Sequence, residues 1–173
     1  MSFTMGESVV RDYSHVFVDK RGESICIKTL AESLHQGLIG MYLAYQPKDS
    51  FDGLPPIKDA ACVAWVQGMI RNGINLVALS PAGAVVGHAA VFPIDRHRCE
   101  ILMAVSPQYQ NIGIGTELTR SSIHVAQELG FRQMWLCVET RNARARHIYK
   151  KFGFQCCSGE DQGDVEMVLD LKH

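Results

Sequence analysis

The chain has 173 residues, 47% of them hydrophobic, and a formal net charge of −1. That length allows a buried core, and we expect a single domain over residues 1–173. The near-neutral charge gives no reason to expect a nucleic-acid partner, and no apolar run reaches the ~20 residues that span a membrane.

The N-terminal half of the chain predicts strands followed by two helices. Residues 1–22 form an N-terminal extension or contain an extra strand, and alternating apolar residues predict a strand over 24–30. Apolar residues at helical spacing predict one helix over 31–45 and a second over 59–72, with Asp59 as its N-cap.

The C-terminal half predicts strands that alternate with helices. The strands are expected at 75–79, 84–92, 99–105, 133–139, 154–157 and 165–171, and the helices at 114–129 and 143–152. Hairpin-linked strands followed by a strand–helix–strand crossover give a mixed sheet. We therefore predict an α/β (α+β) fold: a mostly antiparallel sheet of about seven strands with helices on both faces.

A glycine-rich turn joins the strand at 99–105 to the helix that follows it. It reads Gln110-Asn111-Ile112-Gly113-Ile114-Gly115-Thr116, and we call it the glycine loop. Glycines let the backbone approach a ligand, and the N–H groups of the first helical turn attract an anion. The dinucleotide fingerprint is not met, because Leu118 replaces its third glycine. A P-loop is not met either, because Gly115 precedes Thr116 instead of a lysine.

A second motif lies downstream, at residues 142–154. Its sequence is Asn142-Ala143-Arg144-Ala145-Arg146-His147-Ile148-Tyr149-Lys150-Lys151-Phe152-Gly153-Phe154. This string resembles the N-x-x-A-x-x-x-Y-x-x-x-G-F signature of the GNAT superfamily of N-acetyltransferases, which use acetyl-CoA. The Q-x-x-G-x-G pattern of the glycine loop resembles the pyrophosphate-binding motif of the same superfamily. The resemblance covers about residues 84–155.

The resemblance implies a GNAT fold with acetyl-CoA as co-substrate and no metal. It assigns the pyrophosphate to the backbone of residues 110–116. It also implies that the strand at 99–105 splays from its neighbour, so that backbone groups of Met103, Ala104 and Val105 bind the cofactor instead of a strand. Asn142, which would cap the last helix, and Ala145 and Lys151 are the further cofactor contacts.

The resemblance makes Tyr149 the candidate general acid. A phenol with a pKa near 10 is protonated at neutral pH and can protonate a leaving thiolate. A tyrosine packed against the sheet is the alternative role.

Glu100 is the candidate general base, since Cys99-Glu100-Ile101 resembles a segment of the superfamily's histone acetyltransferases. A solvated charge at a strand end, or a salt bridge with Arg96 or Arg98, is the alternative. Other candidates for the base are Glu139, His88 and Asp95.

Basic side chains and a cysteine accompany these motifs. The basic residues are Arg141, Arg144, Arg146, Lys150 and Lys151. They either contact coenzyme A phosphates, with Arg144 or Lys151 as the contact, or form a solvated helix face. Cys137 lies in mid-strand, so we expect it in the core instead of carrying an acyl group.

The predicted function is acetyl transfer from acetyl-CoA to a primary amine, by direct attack in a ternary complex. The acceptor is a small-molecule or protein amine, with no nucleic-acid or membrane partner, and the chain is a monomer or homodimer. By resemblance, the acceptor site should be covered by the two N-terminal helices, by the loop 46–56 with Phe51 and Leu54, and by the turn 158–164 with Glu160, Asp161 and Asp164. The acidic residues of that turn either attract a cationic amine or form an ordinary polar hairpin turn. The alternatives are a non-catalytic module that senses acyl-CoA, or a transferase that uses a longer acyl-CoA.

The cysteines and the N-terminal sequence indicate where in the cell the protein is located. The six cysteines are scattered and include no C-x-x-C pair, which favours reduced thiols over a zinc site. The N-terminus lacks the basic-then-apolar layout of a signal peptide. We therefore expect a cytoplasmic protein.

Overall fold

The computed structural model describes residues 12–49, 53–157 and 163–172. The strands are β1 Ser14–Val18, β2 Ser24–Thr29, β3 Ile74–Leu79, β4 Val85–Pro93, β5 Arg98–Val105, β6 Gln133–Glu139, β7 Gln155–Cys156 and β8 Asp164–Asp170. The helices are α1 His35–Ala44, α2 Asp59–Asn72, α3 Ile114–Glu128 and α4 Ala143–Lys151. Short 3₁₀ turns lie at Glu32–Leu34 and Pro107–Tyr109.

Within the described residues, one eight-stranded sheet forms in the order β1-β2-β3-β4-β5-β6-β8-β7. Its strand pairs are antiparallel except β5 and β6, which are joined through the α3 crossover and run parallel. The extra strand expected within residues 1–22 is present as β1, which pairs with β2. The predicted mixed, mostly antiparallel sheet is confirmed, with one strand more than the seven expected.

The β5–β6 ladder is short, and this creates a gap in the sheet. Pairing runs from Arg98 with Gln133 to Glu100 with Trp135 and then stops, whereas β5 stays paired with β4 as far as Val105. In residues 101–105, the backbone N–H and carbonyl groups that point away from β4 therefore have no partner strand in the described sheet. This is the splay that the sequence resemblance implied.

Two apolar layers enclose the sheet. On one face Leu118 and Val125 of α3 and Tyr149 of α4 pack on the inward residues of the strands. On the other face Leu38 of α1 and Val66 of α2 form a second buried cluster. Helices therefore cover both faces, as the sequence predicted.

The described helices differ from the predicted ones mainly at their starts. The first begins as the 3₁₀ turn and becomes α-helical at His35. Asp59 is not the N-cap of α2: Lys58 is, with extended backbone and no side-chain cap, and Asp59 lies in the first turn, where its charge favours the helix dipole. None of the helices in the described ranges is long and apolar enough to cross a membrane.

Candidate active site

A cleft of about 1040 Å³ opens where β5 and β6 diverge. Its walls are the C-terminal half of β5, the glycine loop, α4, the end of β6 and the turn between β1 and β2. The site residues named from the sequence that line it are Glu100, Met103, Ala104, Val105, Gln110, Asn111, Ile112, Gly113, Gly115, Thr116, Asn142, Ala145, Tyr149 and Lys151. Ile114 is the exception, because its side chain is buried in the core and only its backbone belongs to the loop.

The glycine loop bends through two left-handed residues. Asn111 has φ of 66° and Gly113, the N-cap of α3, has φ of 106°. Glycine adopts this conformation freely and asparagine tolerates it. The first bond of the helix runs from the Glu117 N–H to the Gly113 carbonyl, at 3.1 Å. The N–H groups before it have no partner within the helix and face the cleft end, an arrangement that suits an anion.

The Gln110 side chain holds this corner of the cleft together. Its Nε2 donates to the Val105 carbonyl at 3.0 Å and to the Tyr45 hydroxyl oxygen at 3.3 Å, while its Oε1 accepts from Arg144 at 2.9 Å. Burial raises the pKa of Tyr45, and the hydrogen bond from Gln110 partly offsets that rise. The amide thus connects the end of β5, α1 and α4.

The surroundings of Tyr149 fit both alternatives considered from the sequence. Its ring is 7% exposed and lies edge-on to Phe154, with centroids 5.5 Å apart, yet it also lines the cleft. Burial raises the pKa of its phenol to about 12. The phenol is therefore a neutral proton donor at physiological pH.

Glu100 lies on the opposite face of the sheet from Tyr149. It is exposed and is the last β5 residue paired with β6, opposite Trp135. Arg98 bonds Asp95 at 2.8 Å, and no ion pair of Glu100 occurs within the described ranges. Glu100 also lines a small cavity of about 200 Å³ that shares Glu100 and Cys137 with the cleft.

A family model identifies the group to which this chain is related. The model described as the Acetyltransferase (GNAT) family matches residues 34–154. The chain belongs to the GNAT acetyltransferase family.

Individual GNAT relatives resemble parts of the chain. Streptothricin acetyltransferase of Streptomyces lavendulae is 36% identical over 53% of this chain and 49% of its own length. L-amino acid N-acyltransferase MnaT of Escherichia coli (strain K12) is 27% identical over 53% of this chain and 56% of its own length. The chain thus spans about half the length of these curated relatives.

Solved GNAT structures share the fold. The GNAT domain of S. lividans PAT superposes with a TM-score of 0.78 at 16% identity, over 91% of this chain and 97% of that domain. The structure of yncA from Salmonella typhimurium, solved with acetyl-CoA, gives 0.69 at 19% identity, over 86% and 95%.

The other candidate bases occupy different surroundings in this GNAT fold. His88 is fully buried between the Tyr42 hydroxyl and the Asn75 side-chain oxygen, each 2.8 Å away, and burial lowers its pKa to about 3. Asp95 accepts from the His97 N–H and from Arg98 in a surface turn, and these bonds lower its pKa to about 2. Of the three, Glu139 alone lines the cleft.

Cys137 contradicts the sequence expectation of a core residue. It is exposed and lines the cleft, whereas its neighbours Leu136 and Val138 are buried on the α3 side. The reason is the two-residue period of β6, which turns Trp135, Cys137 and Glu139 to the other face. Attention to that alternation would have placed Cys137 correctly.

The basic stretch divides into two groups. Arg144 and Lys151 line the cleft, whereas Arg141 pairs with Glu139 at 3.3 Å and Arg146 donates to the Thr140 carbonyl at 2.9 Å. Asn142 caps α4, its Oδ1 accepting from the Ala145 N–H at 3.1 Å, as predicted.

The expected acceptor-side residues are only partly described. Leu54 and Asp164 line the cleft, whereas Phe51, Glu160 and Asp161 lie outside the described residues. Across the described residues there is no group of three or more His, Cys, Asp or Glu side chains able to hold a metal.

The sequence did not point to one wall of the cleft. Phe17, Val18, Asp19 and Lys20, at the end of β1 and in the turn after it, lie beside the glycine loop. The contact joins segments that are far apart in the chain, so no local pattern signals it. Tyr45, the C-cap residue of α1, also reaches the cleft.

Proposed function

We propose that this chain transfers an acetyl group from acetyl-CoA to a primary amine by direct attack in a ternary complex. The observation that carries the proposal is the cleft between β5 and β6, which joins an anion-binding loop to a buried neutral phenol and an exposed carboxylate. Family membership supports the same chemistry. A cytoplasmic location remains a prediction from the scattered cysteines.

The residues present fit acetyl-CoA. The N–H groups at the start of α3 suit a pyrophosphate, and Arg144 and Lys151 supply positive charge at the same cleft. The open edge of β5 over 101–105 suits an extended pantetheine arm, because its backbone groups can bond a ligand where β6 has departed. The bound thioester supplies the activated acetyl group.

The chain's residues supply a base for the amine, hydrogen-bond donors for the carbonyl oxygen and an acid for the thiolate. Glu100 takes a proton from the ammonium of the acceptor, directly or through water, so that the nitrogen lone pair can attack the carbonyl carbon. Backbone N–H groups on the open edge of β5, within Met103 to Val105, stabilise the negative charge on the carbonyl oxygen. The nitrogen loses its second proton to water as the amide forms. Tyr149 donates its phenolic proton to the thiolate as the C–S bond breaks and then regains a proton from water.

The proposed acceptor is a cationic amine of a small molecule or of a protein. Glu100 and Asp164 line the cleft and favour a cationic acceptor, whereas Glu139, which also lines it, is paired with Arg141. The names of the relatives fit both kinds of acceptor, since they include a streptothricin acetyltransferase, an L-amino acid N-acyltransferase and a ribosomal protein bS18-alanine N-acetyltransferase.

The test is thiol release from acetyl-CoA in the presence of pooled amines and peptides. We expect at least one pool to give release that depends on the intact glycine loop, so Gly113→Ala should abolish it. The matched control is Gly83→Ala, which replaces another left-handed glycine in a hairpin turn outside the cleft.

Two other outcomes would change the proposal. Tight binding of acetyl-CoA with no release across the whole panel would favour a non-catalytic acyl-CoA sensor. Faster release from propionyl-CoA than from acetyl-CoA would favour a longer acyl donor.

A further inference from the structure

The turn between β1 and β2 rests against the glycine loop. The Lys20 N–H donates to the Ile112 carbonyl at 3.1 Å, and the Arg21 guanidinium lies 5.0 Å from the Tyr109 ring centroid. Phe17 lies against Gly113: its ring is 3.8 Å from the position that a Cβ atom on Gly113 would occupy. Three contacts thus fix the turn on the segment that prepares the anion-binding end of α3.

Asp19 makes this turn rigid. Its side chain is fully buried, and its carboxylate accepts from the N–H groups of Arg21 and Glu23, at 2.8 and 3.0 Å. It also accepts two bonds from the Arg21 guanidinium, at 3.2 and 3.3 Å. Burial raises the pKa of Asp19, but these hydrogen bonds outweigh it and leave the pKa below its usual range. A charged, fourfold-bonded aspartate holds one turn conformation.

The arrangement leaves Lys20 as a cation without a carboxylate. Arg21 is committed to Asp19, whereas the Lys20 ammonium has no ion pair with any described residue. Lys20 is exposed and lines the same cleft as Asn111 and Gly113. Its backbone is fixed on the loop by the bond to Ile112, so its side chain projects from a defined point at the rim.

We infer that Lys20 is a cofactor-binding residue whose ammonium contacts a phosphate group of coenzyme A. The inference rests on the proposed function, since it concerns the same cleft. Two phosphate sources share this chemistry, the pyrophosphate and the 3′-phosphate of the ribose, and the experiment separates them. Lys20 lies outside both sequence motifs, so the phosphate site draws on the N-terminal hairpin as well as on α3 and α4.

The test is calorimetric titration of coenzyme A and 3′-dephospho-CoA into the wild-type chain and Lys20 variants. We expect Lys20→Met to weaken coenzyme A binding about 3- to 10-fold, Lys20→Glu to weaken it more, and Lys20→Arg to keep it. These changes leave the Lys20 N–H in place, so the bond to Ile112 and the loop's shape persist. Lys172→Met, which removes an exposed charge outside the cleft, is the matched control.

The two ligands identify the phosphate. If Lys20→Met weakens binding of coenzyme A but not of 3′-dephospho-CoA, the contact is the 3′-phosphate. If both ligands lose affinity equally, the contact is the pyrophosphate. The affinity loss should also shrink at high salt, because exposed charges are screened.

Unchanged affinity of Lys20→Glu for both ligands would overturn the inference and leave the acetyltransferase proposal intact. An equal loss in Lys172→Met would overturn it too, because the effect would then be one of net charge. If the wild-type chain binds neither ligand, the proposed function itself fails.

Discussion

The Gln110 side chain accepts a hydrogen bond from Arg144 at 2.9 Å and so ties the glycine loop to the first turn of α4. The two residues come from the two motifs that suggested the family. Gln110 also holds the last carbonyl of β5 and the Tyr45 hydroxyl. The motif glutamine therefore fixes the position of the walls around the cleft, in addition to the backbone role that its motif implied.

Replacing Gln110 by alanine should weaken coenzyme A binding. The loop loses its bonds to Val105, Tyr45 and Arg144, and we expect about a 5- to 20-fold higher Kd by calorimetry, from hydrogen bonds worth about 1–2 kcal/mol in total. Gln108→Ala is the control, since Gln108 is exposed in the adjoining 3₁₀ turn and lies outside the cleft. Equal affinities of the two variants would contradict a role for the Gln110 bonds.

Tyr149→Phe should lower kcat by about 10²- to 10⁴-fold, the usual weight of a general acid, while coenzyme A affinity stays within about twofold. The ring and its packing on Phe154 persist, so only the proton donor is lost. Tyr109→Phe, which alters a tyrosine outside the cleft, should leave kcat unchanged. Because the pKa of Tyr149 is about 12, the wild-type rate should show no decline from its ionisation below about pH 11. Full activity in Tyr149→Phe would remove the residue from the mechanism.

Glu100→Gln should reduce turnover at neutral pH by about 10- to 100-fold and recover part of it as the pH rises. The reason is that more of the acceptor amine is then already deprotonated and needs no base. Steady-state rates between pH 7 and 10 would measure this. Glu128→Gln, which changes an exposed α3 carboxylate away from the cleft, should follow the wild-type profile. A profile parallel to wild type in Glu100→Gln would argue against a base at this position.

Buried His88 should make the fold less stable in acid. Its pKa is about 3 in the folded chain, against about 6.5 when unfolded, so the unfolded chain binds the proton first. The contribution of neutral His88 to the free energy of unfolding is fully present above about pH 6.5. Below that pH it falls by about 1.4 kcal/mol per pH unit. Urea unfolding at pH 7.5 and 5.0 should show a smaller pH difference in His88→Gln than in wild type. His97→Gln, at an exposed histidine, should keep the wild-type difference.

Cys137 should report occupancy of the cleft. Cys137, Cys156 and Cys157 are all exposed, but of these only Cys137 lines the cleft. Coenzyme A should therefore slow alkylation of Cys137 by iodoacetamide while leaving the other two rates unchanged, as followed by peptide mass spectrometry. Cys62 and Cys99 are buried and should react slowly throughout. Protection of all three exposed thiols, or of none, would contradict this placement of the cleft.

Local pattern was sufficient for the element order and for much of the cleft. Period-two and helical spacing predicted the strands and helices, and the two motifs named residues that do lie together around one opening, from Gln110 to Lys151. The splay could be inferred only by resemblance, because strand separation depends on where pairing stops, at Glu100 with Trp135.

Other features depend on tertiary contacts that no local spacing encodes. The buried pair of bonds around His88 joins β4 to α1 and β3, and the contact of Lys20 with Ile112 joins the first hairpin to the glycine loop. Cys137 differs, since its strand's alternation was available in the sequence, and the error was to treat a mid-strand cysteine as buried on both sides.

The bond between the Lys20 N–H and the Ile112 carbonyl bears on how the protein can be shortened. The family model begins at residue 34, after the hairpin. A truncation at that boundary would remove β1 and β2, leave β3 as an unprotected sheet edge, and take away one support of the glycine loop. The minimal unit that keeps this loop in shape therefore starts before β1.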